Sequence, residues 1–136
     1  MTQPRPPLGG RYSLERPLLT SRAEHHWMAI EVSSGRLVVV AICESSRLRS
    51  LAAARGVTHR HLATLIDVVR DVPAGAFPER VQIPPGAGVA IAEHVPGITL
   101  KKALDDGPLH TAKAVAWVLR LADAVQAVHA IGTVHG

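Results

Sequence analysis

Seven consecutive apolar residues, Leu37-Val-Val-Val-Ala-Ile-Cys43, constrain this chain more than any other stretch. A run this short and this rich in β-branched residues reads as a strand. Side chains alternate between the two faces of a sheet, so an unbroken apolar run needs cover on both. Leu37–Cys43 is therefore expected at the centre of a sheet. Just before it, Ser33-Ser-Gly-Arg36 is a turn, with Gly35 free to take positive φ. His25–Val32 reads as a second strand, with Trp27 and Ala29 on one face and Met28, Ile30 and Val32 on the other. Two strands joined by so short a turn make an antiparallel hairpin. Arg11–Leu18, where Tyr12 and Leu14 alternate with polar neighbours, is a strand ahead of it.

Downstream, Glu44–Arg55 has a helical pattern. Ser45 or Ser46 is placed to cap it, Leu48, Leu51 and Ala52 share one face, and Gly56 ends it. Leu62–Arg70 is a further strand. Asp71–Gly88 reads as a long loop holding four prolines, better taken as a variable insertion than as a partner-binding segment. Val89–Val95 is a fifth strand, Pro96-Gly97 a turn, and Ile98–Leu104 a short helix closed by Asp105-Asp106-Gly107. From Thr111 runs the longest helix. Its stripe is Val115, Val118, Leu121, Ala122, Val125 and Val128, with His129 in the last turn, Gly132 as its cap, and Trp117 packing in the core. The order β-β-β-α-β-β-α-α predicts an α+β fold: a five-stranded, largely antiparallel sheet with one helix, then a helical part. Residues 1–10 read as a flexible Pro- and Gly-rich leader, 11–95 as a small lobe, and 96–136 as a hinge exit and the start of a helical lobe.

Composition narrows the functional classes. Aromatics make up 3% of the chain, so the core is aliphatic and no array of rings exists on which bases would stack. The net charge of +4 is spread over scattered arginines with neither run nor stripe, which reads as solvated surface and not a nucleic-acid face. Cys43 is alone, so disulfides and cysteine metal sites are excluded and a reducing, cytoplasmic setting is expected. The first ten residues lack an apolar core of the signal-peptide kind, and no stretch reaches the ~20 apolar residues of a membrane span. Among eight histidines, His25-His26 and His59-x-His61 are the close pairs, and neither has carboxylate or cysteine partners at metal-ligand spacing.

Taken in order, several pieces resemble a protein kinase-like domain of the bacterial serine/threonine type. They are Arg11-Tyr-Ser-Leu-Glu-Arg-Pro-Leu18, Trp27-Met-Ala-Ile-Glu31, Ser34-Gly35-Arg36, Val38-Val-Val-Ala41 and His59-Arg-His-Leu62. They continue with Ala92-Glu-His-Val-Pro-Gly97, Thr99-Leu100 and Ala124-Val-Gln-Ala-Val-His-Ala-Ile-Gly-Thr-Val-His135-Gly136. The resemblance implies a kinase-like small lobe, a hinge at Glu93–Val95, and the first helices of a large lobe. Adenine would meet the carbonyl of Glu93 and the N–H and carbonyl of Val95, between Val39 and the gatekeeper Ala92.

On the same resemblance the phosphate chemistry is missing. The three positions of the glycine-rich loop hold Leu19, Ser21 and Glu24, and a carboxylate there repels phosphate. The side chain over adenine becomes His26. The lysine position falls on Ala41, or on Cys43 when the letters of Val40-Ala-Ile-Cys43 are matched. Its glutamate partner falls on Ser50. No lysine occurs before Lys101. His135-Gly136 takes the first two places of the His-Arg-Asp motif, with no Asp following. The expectation is thus a degenerate, inactive kinase-like domain, or a fragment of one, working by binding or regulation. It predicts weak or absent nucleotide binding, no metal, ATP and magnesium only if the family function is retained, and a protein partner as the ligand class. The alternatives are the front of a longer ATP-dependent serine/threonine kinase, and an interaction scaffold unrelated to nucleotide.

Overall fold

The computed structural model describes residues 4–18 and 25–130. The elements run β1 (Tyr12–Pro17), β2 (His26–Glu31), β3 (Leu37–Cys43), α1 (Ser45–Ala52), β4 (Leu65–Val69), β5 (Gly88–Glu93), α2 (Leu100–Asp105) and α3 (Thr111–His129). The five strands form one antiparallel sheet in the order β1-β2-β3-β5-β4. The fold is α+β, as the order of elements predicts. β3 lies at the middle of the sheet, where its apolar run requires it.

Pairing sets the faces. Val38 opposes Glu93 and Val40 opposes Ile91, while Val39 opposes Ala92 and Ala41 opposes Ala90. Directly opposed residues share a face. One face therefore carries Val38, Val40, Val89 and Ile91 together with Trp27, Ala29 and Tyr12, all buried. The other carries Cys43 and Ala90, against which Leu48 of α1 is buried and Leu51 half-buried. So α1 covers one face only.

The opposite face is covered by the proline-bearing loop. In three successive turns the carbonyls of Pro73, Pro78 and Pro84 accept hydrogen bonds from the N–H groups of Ala76, Val81 and Ala87, at 3.1, 2.9 and 3.0 Å. Each donor is a buried residue. Phe77 follows the first turn and meets Trp27 edge to face, with ring centroids 5.8 Å apart. This segment is thus part of the core, not a dispensable insertion. Leu8, in the stretch read as a leader, also belongs to the core; it is fully buried and forms a bridge with Tyr12.

Two polar networks tie the sheet edges. The buried Glu31 accepts from the Ser33 and Ser34 hydroxyls and from Arg36, at 3.3, 3.0 and 3.2 Å, which locks the β2–β3 turn. Asp67 on β4 accepts from the Tyr12 hydroxyl and from Arg11, both at 3.2 Å, linking β4 to β1 behind the sheet. At the start of β5, Gly88 admits no side chain. A Cβ there would strike the Val69 carbonyl and lie 2.6 Å from Leu48 Cδ2. Only glycine lets β4, β5 and α1 meet this closely.

Three local expectations are corrected. α1 is capped by Glu44, with no side-chain cap hydrogen bond, and not by Ser45 or Ser46. In α3 the buried residues are Ala124 and Val128, whereas Val115 and Val118 are 53% and 62% exposed. The inward face therefore runs through the half-buried Trp117 and Val125 and the buried Ala124 and Val128, so the predicted stripe holds only toward its C-terminal end. The helix is apolar on nearly every side, so its periodicity marks no single face. Trp117 is half-buried at a crevice and lies outside the core clusters. Gly132, the expected cap, lies outside the described residues.

Candidate functional site

The chain leaves β5 at Glu93 and turns away from the sheet through His94-Val-Pro-Gly97. Glu93 sets that departure. Its N–H donates to the Thr64 carbonyl and its carboxylate accepts from the Thr64 N–H, both at 2.9 Å. This reciprocal pair pins the end of β5 to the start of β4. The carboxylate is thus held as a structural acceptor. Beyond it, the Thr99 hydroxyl accepts from the Lys102 N–H at 3.1 Å and caps α2.

These two fixed points bound a crevice of about 590 Å³. Leu18 and Val39 come from the sheet, His94–Gly97 from the connection, and Ile98, Thr99 and Lys102 from the approach to α2. Its volume is that of a small-molecule site, and its walls are mostly apolar. Of the sequence candidates, the structure brings Val39 and Val95 together here. Glu93 adjoins them, and Ala92 shares the face of Val39 but does not line the crevice. Lys102 was not singled out as a site residue, yet it brings an ammonium to the rim. The capping pattern Thr99-Leu-Lys-Lys102 is the signal that places it there.

The region around Ala41 is apolar. Ala41 packs with Cys43, Leu48, Leu51, Leu65, Val68 and Ala90. Burial raises the Cys43 thiol, although Arg47 and an Ala90 backbone hydrogen bond pull the other way. The thiol donates to the Ala41 carbonyl at 3.6 Å. Ser50 is exposed and its hydroxyl donates weakly back to the Ser46 carbonyl, while Leu48 and Leu51 are the α1 side chains directed at the sheet. On β2, His26 stands opposite Ala41, its pKa lowered by burial and by its neighbours His25 and Arg47. The charge that reaches this cluster is the guanidinium of Arg47, which acts on both Cys43 and His26. Leu19, Ser21, Glu24 and His135 fall outside the described residues.

The histidine pair has a structural task. His59 Nδ1 accepts from the His61 N–H at 3.1 Å, and Nε2 lies 3.2 Å from Asp123 of α3. Both ring nitrogens are occupied, which ties the loop before β4 to the long helix. Among the described residues no group of three histidine, cysteine or acidic side chains is placed to hold a metal, and no helix is long and apolar enough to cross a membrane. No family model matches this chain, and no curated protein is similar to it.

Proposed function

We propose that this chain is a degenerate kinase-like domain that acts by binding or regulation and not by phosphoryl transfer. One observation carries the reading. Where the resemblance places the lysine, the chain has Ala41 or Cys43 in an apolar cluster with Leu48 and Leu51, and where it places the glutamate it has the exposed Ser50. Phosphoryl transfer needs a cation held close to the α- and β-phosphates. Loss of both members together is physically coherent, since an unpaired buried glutamate would be costly. The sheet order, the single helix between β3 and β4, and the crevice between Val39 and Val95 support the kinase-like part. A flat heterocycle suits that crevice better than a magnesium triphosphate does, because its lining offers His94 and Lys102 and no carboxylate. On this reading the chain works in the cytoplasm, a setting that its single, unpaired cysteine supports, and its ligand is a protein.

Thermal shift with ATP, with and without magnesium, tests this reading. The expected result is a small, magnesium-independent shift or none. Tight magnesium-dependent binding would overturn it.

A second reading, the front of a longer kinase, is favoured by the exposed Val115, Val118 and Leu119 of α3, which suit a helix that more chain would cover. The DNA beyond codon 136 decides it. An in-frame Asp, an Asn about five residues later and then Asp-Phe-Gly would support this alternative.

A further inference from the structure

A second crevice of about 530 Å³ adjoins the first, sharing Ile98 and Thr99 with it, and is lined by α2, α3 and the loop before β4. Its walls are Ile98, Leu100, Ala103, Trp117 and Leu121, a mostly apolar lining of ligand-site size. Every titratable side chain on those walls is basic: His61, Lys113 and Arg120. Lys113, Trp117 and Arg120 recur at helical spacing on α3, so two cations flank one indole along a single ridge. The Lys113 ammonium lies 5.0 Å from the centre of the Trp117 ring. That contact orients the lysine over the crevice wall.

Among the described residues, Lys113 and Arg120 form no ion pair with a carboxylate. The acid nearest in sequence, Asp123, is taken by His59 at 3.2 Å. His61 is kept from joining them as a third charge: burial lowers its pKa, and Arg60, His59 and Arg120 lower it further against a smaller opposing effect of Asp123. The result is an apolar cleft with a half-buried aromatic flank and two cations on its walls that form no ion pair among the described residues. We propose that this crevice binds a small apolar carboxylate: a flat or chain-like hydrocarbon body seated on Trp117, Leu100 and Leu121, with its anionic end between Lys113 and Arg120. The hinge crevice and the nucleotide question play no part in this inference.

The test is a titration of the isotope-labelled chain with naphthoate, followed by NMR at the Trp117 indole N–H. The isosteric neutral naphthamide serves as the control. Trp27 is 1% exposed in the sheet core, so its indole signal is the internal reference. Saturable movement of the Trp117 signal by naphthoate is expected, with naphthamide at least about tenfold weaker, the ratio typical of charge-assisted contacts. Lys113→Gln with Arg120→Gln, both at exposed positions, should leave the fold intact and erase the preference for the anion. Unchanged circular dichroism of the double variant checks that. No movement at Trp117 would overturn the proposal. So would equal affinity for the amide, a preference that survives the double substitution, or binding that moves Val39 and Val95 instead. ATP failing to bind, or binding at the hinge, leaves each of these outcomes distinct.

Discussion

The sheet and the helices after it treat apolar side chains in opposite ways. In β3 and β5 the face under the three-turn loop is sealed, with Val38, Val40, Val89 and Ile91 fully buried, and α1 covers Cys43 and Ala90 on the other. In α2 and α3, Leu100, Leu104, Val115, Val118, Leu119 and Leu121 are each at least 44% exposed. One half has closed a core, whereas the other displays the material of one. Stability should therefore reside in residues 4–93, and recognition in residues 94–130. A chain can carry its folding free energy and its binding surface in separate stretches of sequence.

The largest effect that probes this contrast is truncation of Phe77. Phe77→Ala should destabilise the fold by about 3–5 kcal/mol, by loss of buried area and opening of a cavity against Trp27. Leu119→Ala should cost less than about 0.5 kcal/mol. Urea unfolding followed by circular dichroism measures both. Similar values for the two would break the comparison. Gly88→Ala comes next, at about 1–3 kcal/mol, since the new methyl must displace the Val69 carbonyl or Leu48. A neutral outcome would mean that α1 docks less tightly than its contact with Gly88 requires.

Glu93→Ala should cost about 1–3 kcal/mol through the stranded Thr64 N–H. Hydrogen exchange should quicken at the Thr64 amide and at β4, and scarcely at β2. The smallest effect is one of pH. Hydrogen bonds from Ser34 and Arg36, with Ser33 adding to them, hold the Glu31 carboxyl below its usual 4.5. A depressed carboxylate stabilises the fold above that value, and the contribution is lost as pH falls from 4.5 through the folded pKa. Acid titrations of the wild type and of Glu31→Gln should therefore diverge only in that window, with the variant showing the shallower decline.

Much of the sheet was legible in the sequence because strand signals there agree at every level: a β-branched run, a Ser-Ser-Gly turn, and alternation in Trp27-Met-Ala-Ile30. The covering loop was not. Its buried residues, Ala76 with Phe77, then Val81 and Ala87, follow prolines at turn spacing, which no period-based pattern detects. α3 was legible as a helix but not in its facing, since valine, leucine and alanine surround it. At the candidate site, Val39 and Val95 were found through the resemblance. Lys102 was missed because a residue one turn into a short helix reveals its direction only when the cap is fixed. The Lys113–Trp117–Arg120 ridge was hidden by reading Trp117 as core.

The interior position of β5 has a consequence for synthesis. It is the last of these five strands to be made, yet it separates β3 from β4 and supplies partners to both. Until Glu93 has left the ribosome, one edge of β3 is unpaired, and its valines lack a lateral neighbour. The pairing it awaits spans about fifty residues of sequence, from Cys43 to Gly88 at the near end. A nascent chain paused inside the Asp71–Ala87 loop would therefore display the most aggregation-prone segment of the protein, Leu37–Cys43, and would be the species that chaperones engage.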